Sequence, residues 1–170
     1  MIMSLQPYNT YYAEKLEKGL EFEDFVSSLF FEMGIAFVRY SSRRYQFEHG
    51  ENSAGIEIKF DDRLKETGNL YIEVAEKSHP GNAHFIASGI YRMDNGWLYA
   101  IGNYKVVYVF LTRHLRWMYE RGQLTKKETS TSQGFLLPER LARKYAARVL
   151  KPPSDVPDNF FAVLIGPNPK

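Results

Sequence analysis

Hydrophobic positions recur at intervals of three and four in "GLEFEDFVSSLFFEMG". Phe22, Phe25, Val26, Leu29, Phe30 and Met33 fall on one stripe, the period of an amphipathic helix. Gly34 is placed to end it. The pattern then shortens. "IAFVRY" is β-branched and aromatic and predicts a strand. "SSRRYQFEHGENSA" is polar and predicts a loop with a short strand inside. "GIEIKF" (55–60) and "LYIEVAEK" (70–77) alternate apolar and polar residues, as half-buried strands do; "DDRLKETGN" between them is rich in turn formers. Pro80 and Gly81 argue against a regular element in "SHPGNAHFIASG". "WLYAIG" and the continuous apolar run "KVVYVFLT" predict strands, the second central. Thr112 is positioned to cap a helix over "RHLRWMYERG", closed by Gly122, with Trp117 in the core. "TKKETSTSQG" predicts a polar loop, Pro138 opens a helix over "PERLARKYAARVL", and "FFAVLIG" predicts a last strand. Residues 1–12 read as a loose lead-in. Helices and strands in this order predict an α/β domain with a mixed central sheet flanked by helices.

Charge changes this picture on two strands. Side chains two apart on a strand share a face, roughly 7 Å apart. Glu57, Lys59 and Asp61 therefore share one face of the first strand and Ile56, Ile58 and Phe60 the other. On the second strand Tyr71, Glu73 and Lys77 share a face, with Ala75 among them. If the two strands pair across their short connection, Glu57 and Glu73 converge. Clustered carboxylates repel, and a hard divalent cation such as Mg²⁺ or Mn²⁺ relieves the repulsion through oxygen ligands. Such an ion activates a bound water, and a neighbouring lysine stabilises a phosphate under attack. Alternating charge also makes an ordinary solvated strand face, with ion pairs worth about 0–1 kcal/mol each.

Composition narrows the chemistry. The chain has 170 residues, 44% hydrophobic and 15% aromatic, and fits one domain over 1–170 with a substantial core. A net charge of only +2 confines any nucleic-acid footprint to a local patch. The absence of cysteine excludes disulfides, thiolate metal sites and a cysteine nucleophile, and is compatible with a cytoplasmic location. "MIMSLQPYNTYY" lacks a basic n-region and an apolar run, so no signal peptide is expected, and no window is apolar enough to span a membrane. The four histidines, at 49, 79, 84 and 114, have no metal-ligand spacing, and no glycine-rich phosphate loop occurs. Basic residues gather at Arg39, Arg43 and Arg44, and on the helix from Pro138, where Arg140, Arg143, Lys144, Arg148 and Lys151 face only Glu139. Either a phosphate-gripping surface or a solvated face accounts for them.

"FEDFVSSLFFEMGIAFVR" resembles the opening of the PD-(D/E)XK nuclease superfamily, Holliday-junction resolvases especially. In that family an acid near the start of the first helix is followed by a glycine, an apolar strand and an arginine. Here these are Glu23, Gly34 and Arg39. "GIEIK" then stands where the family's first strand acid belongs, with Glu57 in that role. "LYIEVAEK" stands where Glu-x-Lys belongs, with Glu73 as its acid, Ala75 in place of the lysine, and Lys59 or Lys77 as substitutes. In a second register "GIEIK" is itself similar to the Glu-x-Lys of mismatch-repair-type endonucleases; Glu57 and Lys59 are then the pair, and Glu51 is the upstream acid. The resemblance covers residues 19–77. It implies a restriction endonuclease-like core and Mg²⁺- or Mn²⁺-dependent DNA hydrolysis. Glu57, Glu73 and Glu23 would be metal ligands, Lys59 the catalytic lysine, and Arg43, Arg44, Arg143 and Lys144 would contact DNA. A chain of this size is expected to act on a DNA structure, with a partner, or as a homodimer. The alternative is a nucleic-acid-binding or assembly module of the same fold whose active site has decayed, which the missing lysine favours.

Overall fold

The computed structural model describes residues 6–152, with side chains from residue 14 onward except those of Arg43 and Phe47. The strand expected over "FFAVLIG" lies outside these residues. Helix α1 (Gln6–Glu32) opens the fold and reaches into what sequence suggested was a loose lead-in. Its stripe is the expected one: Phe22, Val26, Leu29 and Phe30 are buried, Gly34 follows its end at φ +80°, and only Met33 turns outward.

Two four-stranded sheets lie beyond it. The first, in the order β1 (Ile56–Phe60), β4 (Leu98–Asn103), β5 (Val106–Leu111), β8 (Arg148–Leu150), is mixed, with β1 parallel to β4 and the other pairs antiparallel. The second runs β3 (Ile86–Ala87), β2 (Asn69–Glu76), β7 (Ser132–Pro138), β6 (Thr125–Glu128), all antiparallel. Apolar residues on one face of the first sheet, Ile56, Ile58, Ala100, Val107 and Val109, bury against the stripe of α1. On its other face Tyr99, Ile101, Tyr108 and Phe110 bury with Leu70, Ile72, Phe135 and Leu137 of the second sheet. Helix α4 (Thr112–Glu120) adds Leu115 and Met118 to this core, and α5 (Glu139–Tyr145) adds Ala142. The first sheet is thus a middle layer, covered on both faces, which is why β5 reads as a continuous apolar run.

The expected pairing of β1 with β2 does not occur. Their connection is not a hairpin loop but a short helix, α3 (Leu64–Thr67), which drives Leu64 into the core and ends at Gly68 with φ +64°. Asp61 braces the bend, its carboxylate accepting from the Arg63 and Tyr71 backbone N–H groups at 3.1 and 3.0 Å. The chain leaves one sheet there and enters the other.

Several shorter expectations are corrected. "IAFVRY" forms no strand; a single antiparallel bridge joins Arg39 to Asn52, with Val38 largely exposed, so no core selects a ladder there. Between these segments the polar stretch forms helix α2 (Arg43–His49), capped by the Ser42 hydroxyl and closed by Gly50. "TKKETSTSQG" supplies β6 and the start of β7, because Phe135 and Leu137 anchor β7 in the core and carry β6 along as an exposed edge. Thr112 begins α4 without a side-chain cap, its buried hydroxyl lacking a hydrogen-bond partner. Trp117, expected in the core, is 47% exposed. The helix from Pro138 ends at Tyr145, and Arg148–Leu150 instead extends the first sheet along β5. No described helix is long and apolar enough to cross a membrane.

Candidate functional site

Parallel pairing with β4 sets Glu57 opposite Tyr99 and Lys59 opposite Ile101, on the face of the first sheet turned away from α1. β1 is the edge strand of that sheet, so the charged pair is not fenced in by a further strand. The Lys59 Nζ lies 3.0 Å from Glu57 Oε1, with Glu57 nearly buried and Lys59 keeping 37% of its side chain exposed. Glu57 holds the Lys59 ammonium well above the ordinary lysine range, against desolvation, and Glu51, Tyr99 and Glu73 push the same way. Lys59 is therefore a cation at neutral pH. It can steady a phosphate or orient a water, but it cannot take a proton from one.

Acids gather around this cation from three elements. Glu23 comes from α1 and is paired with Arg39 at 3.1 Å. Glu51 follows α2 and is paired with Arg92 at 3.1 Å. Burial raises both carboxyls above the ordinary range, and each has another acid as the next contributor: Glu51 for Glu23, and Glu57, after the opposing pull of Lys59, for Glu51. Each of Glu23, Glu51 and Glu57 thus has a cation beside it, Arg39, Arg92 and Lys59 in turn, and burial more than mutual repulsion raises the first two.

Glu73 reaches the same neighbourhood from the second sheet. It bears on Lys59 and Tyr99 electrostatically, yet both of its oxygens are occupied. Ser88 Oγ donates to one at 2.8 Å and Ser132 Oγ to the other at 2.7 Å. Since the Ser132 proton is committed to Glu73, the Tyr71 hydroxyl 2.8 Å away donates to Ser132. Lys59, Asp61, Tyr71, Glu73 and Tyr99 all line one cleft of about 400 Å³ between the sheets. Tyr99 is buried, and that burial keeps its phenol protonated far above its usual range.

Glu23, Glu51 and Glu57 each offer anionic oxygen, the donor type a hard divalent cation takes, but they do not stand together as one ligand group. Glu73 suits one less well, because its oxygens already accept from two serines. Among the described residues no three His, Asp or Glu side chains stand grouped as ligands.

The other sequence candidates lie apart from this cleft. The Lys77 ammonium sits 4.2 Å from the centre of the Phe85 ring. Arg44 pairs with Glu48 within α2. Arg143 is held by Glu139 and lies over the Tyr108 ring, while Lys144 lies over Tyr145. Arg43 falls outside the described side chains. Sequence reasoning missed Tyr99, Ser88 and Ser132. Tyr99 alternates with an apolar neighbour like any core residue, and the serines sit in polar stretches without a pattern, so only the assembled fold brings them to Glu73. No family model, no curated protein and no solved structure matches the chain.

Proposed function

We propose that this chain is a divalent-metal-dependent deoxyribonuclease with a restriction endonuclease-like core, acting through Lys59. The observation that carries the reading is a lysine cation on an open sheet edge, 3.0 Å from one acid and under the influence of two more, at the wall of a cleft. Glu57, with Glu51 and Glu23, would hold Mg²⁺ or Mn²⁺, the register in which "GIEIK" supplies both acid and lysine. When bound, the ion supplies Lewis-acid polarisation of the phosphodiester and a water of lowered pKa. Glu57 fixes the Lys59 ammonium, and that ammonium faces the charge that grows on the phosphoryl oxygens. Tyr71, Ser132 and Ser88 hold Glu73 in place, so Glu73 shapes the cleft and its field before it serves as a ligand.

A second reading, a DNA-binding module of the same fold without activity, draws on the serine-occupied Glu73 and on Ala75 where the family has lysine. Cleavage of branched, nicked, single-stranded and duplex DNA with Mg²⁺ or Mn²⁺ separates the two. Wild type cuts at least one of these substrates. Glu57→Gln abolishes cutting, and Lys59→Met slows it by roughly 100-fold, the scale of losing one electrostatic stabiliser. Glu51→Gln is inactive and Glu73→Gln active if the "GIEIK" register operates; the reverse pattern moves the metal to Glu73. Wild type that cuts none of them with either ion removes the enzyme reading.

A further inference from the structure

A second cavity, of about 230 Å³, adjoins the cleft, and Lys15, Lys59, Phe60 and Asp62 line both. The two form one groove with Lys59 at the junction. One arm runs along α1, where Lys18, Leu16 and Leu20 line it. The other runs between the sheets to Arg63 and to Lys127 on β6. Cations thus stand at both ends, and Lys18, Arg63 and Lys127 take part in none of the ion pairs among the described residues. Leu16 and Leu20 are 50% and 37% exposed, an apolar floor beside the basic residues of the α1 arm.

We propose that this groove is the track of a single unpaired DNA strand, with phosphates held by Lys18 at one end and by Arg63 and Lys127 at the other, and the backbone crossing at Lys59. The assignment rests on the nuclease reading for the identity of Lys59 as the reacting lysine. Basic side chains that track the backbone, with aromatic faces for the bases, are the general form of single-strand binding sites, and Phe60 lines both arms here. A duplex keeps its base faces stacked inside and offers Leu16 and Leu20 only phosphate and sugar. Its major groove alone is about 12 Å across. Asp61, Asp62 and Glu73 line the cleft and Glu23 the α1 arm, so acids stand among the cations along the whole track and weigh against the dense phosphate packing of two strands. The substrate class that follows is unpaired DNA: an overhang, a flap, or the open strand of a branch.

The test is binding without chemistry. Fluorescence anisotropy in EDTA compares a labelled strand of about 12 nucleotides, a length typical of such sites, with a blunt duplex and an RNA strand of the same length. The DNA strand binds at least tenfold more tightly than the duplex. Lys18→Glu and Lys127→Glu each weaken it several-fold and each reduce the salt slope by about 1, since each removes a phosphate contact. Lys18→Gln gives the same direction at smaller size, and both positions are exposed, so folding survives. Equal or tighter duplex binding overturns the proposal. So does loss of affinity on Lys144→Glu with none at Lys18 and Lys127, which moves the track to α5. RNA bound as tightly as DNA overturns the DNA assignment. Preferential strand binding by a protein that cuts nothing with either ion leaves the groove standing and removes the nuclease reading. Duplex cutting with no strand preference does the reverse.

Discussion

Lys59 and Glu51 both hold their proton more tightly in the folded chain than in the unfolded one, so rising pH costs stability at each, but in windows far apart. Lys59 is held charged by Glu57, so the stability it contributes is complete at neutral pH and is lost only as pH climbs above about 10.4, the unfolded value, and through its raised folded value. Glu51 is a carboxyl whose folded pKa is raised, chiefly by burial. The folded chain holds that proton more tightly than the unfolded chain does, so folding loses free energy as pH rises above about 4.3. Glu51→Gln keeps an oxygen for Arg92 and removes the charge. In metal-free buffer the variant therefore melts higher than wild type at pH 7, and the difference disappears below about pH 4. Thermal melts at the two pH values check this; a variant that melts lower at pH 7 would show that the Arg92 pair outweighs the burial cost. That Glu57 and Lys59 share a face was legible from their spacing of two. The serines on Glu73 were not, because hydroxyls gathered from distant segments leave no periodic trace.

At the scale of elements, the 3-10 turn Gly89–Tyr91 presses on β2 where Glu73 is carried. Gly89 has φ +49°, and a Cβ on it would stand 2.3 Å from the Glu73 carbonyl oxygen. Gly89→Ala thus combines a left-handed backbone with a backbone clash, and costs at least about 2 kcal/mol. The expected result is a lower denaturation midpoint, with the Ser88–Glu73 contact disturbed, since Ser88 precedes the turn. A midpoint within error of wild type would mean that β2 yields at no cost. The elements that sequence identified correctly are those whose periodicity is paid for by burial, α1, β1, β2, β4, β5 and α4. Those it missed answer to other forces. α2 rests on a serine cap and a closing glycine, and β6 on pairing with β7. β8 forms where a helical stripe was expected, because the β5 edge offers hydrogen bonds to Arg148–Leu150.

Across the whole molecule the first sheet joins two apolar clusters, one shared with α1 and one with the second sheet. Phe22, fully buried, anchors the first and packs its ring 4.9 Å from Phe60. Ile72, also fully buried, anchors the second. Because β4 and β5 contribute to both clusters, the chain is expected to unfold as one unit. Phe22→Ala costs about 3–5 kcal/mol and Ile72→Ala about 2–5 kcal/mol, and each shifts one common transition seen by far- and near-UV circular dichroism. Two transitions, with each substitution moving only its own, would divide the chain into independent layers.

The sequence by itself determined the α/β class, the buried stripe of α1, the apolar centre of β4 and β5, and the charged face that holds Glu57 and Lys59. These follow from intervals of two and of three or four, which the local backbone enforces wherever one face is buried. It could not determine which strands are neighbours. The eight residues between β1 and β2 are compatible with a hairpin, and only the burial of Leu64 and the bracing of Asp61 send β2 into a second sheet. Strand pairing is a contest among distant edges, decided by which apolar faces can be covered together. For that reason Glu73 stands across a cleft from Lys59 rather than beside Glu57 on a paired strand.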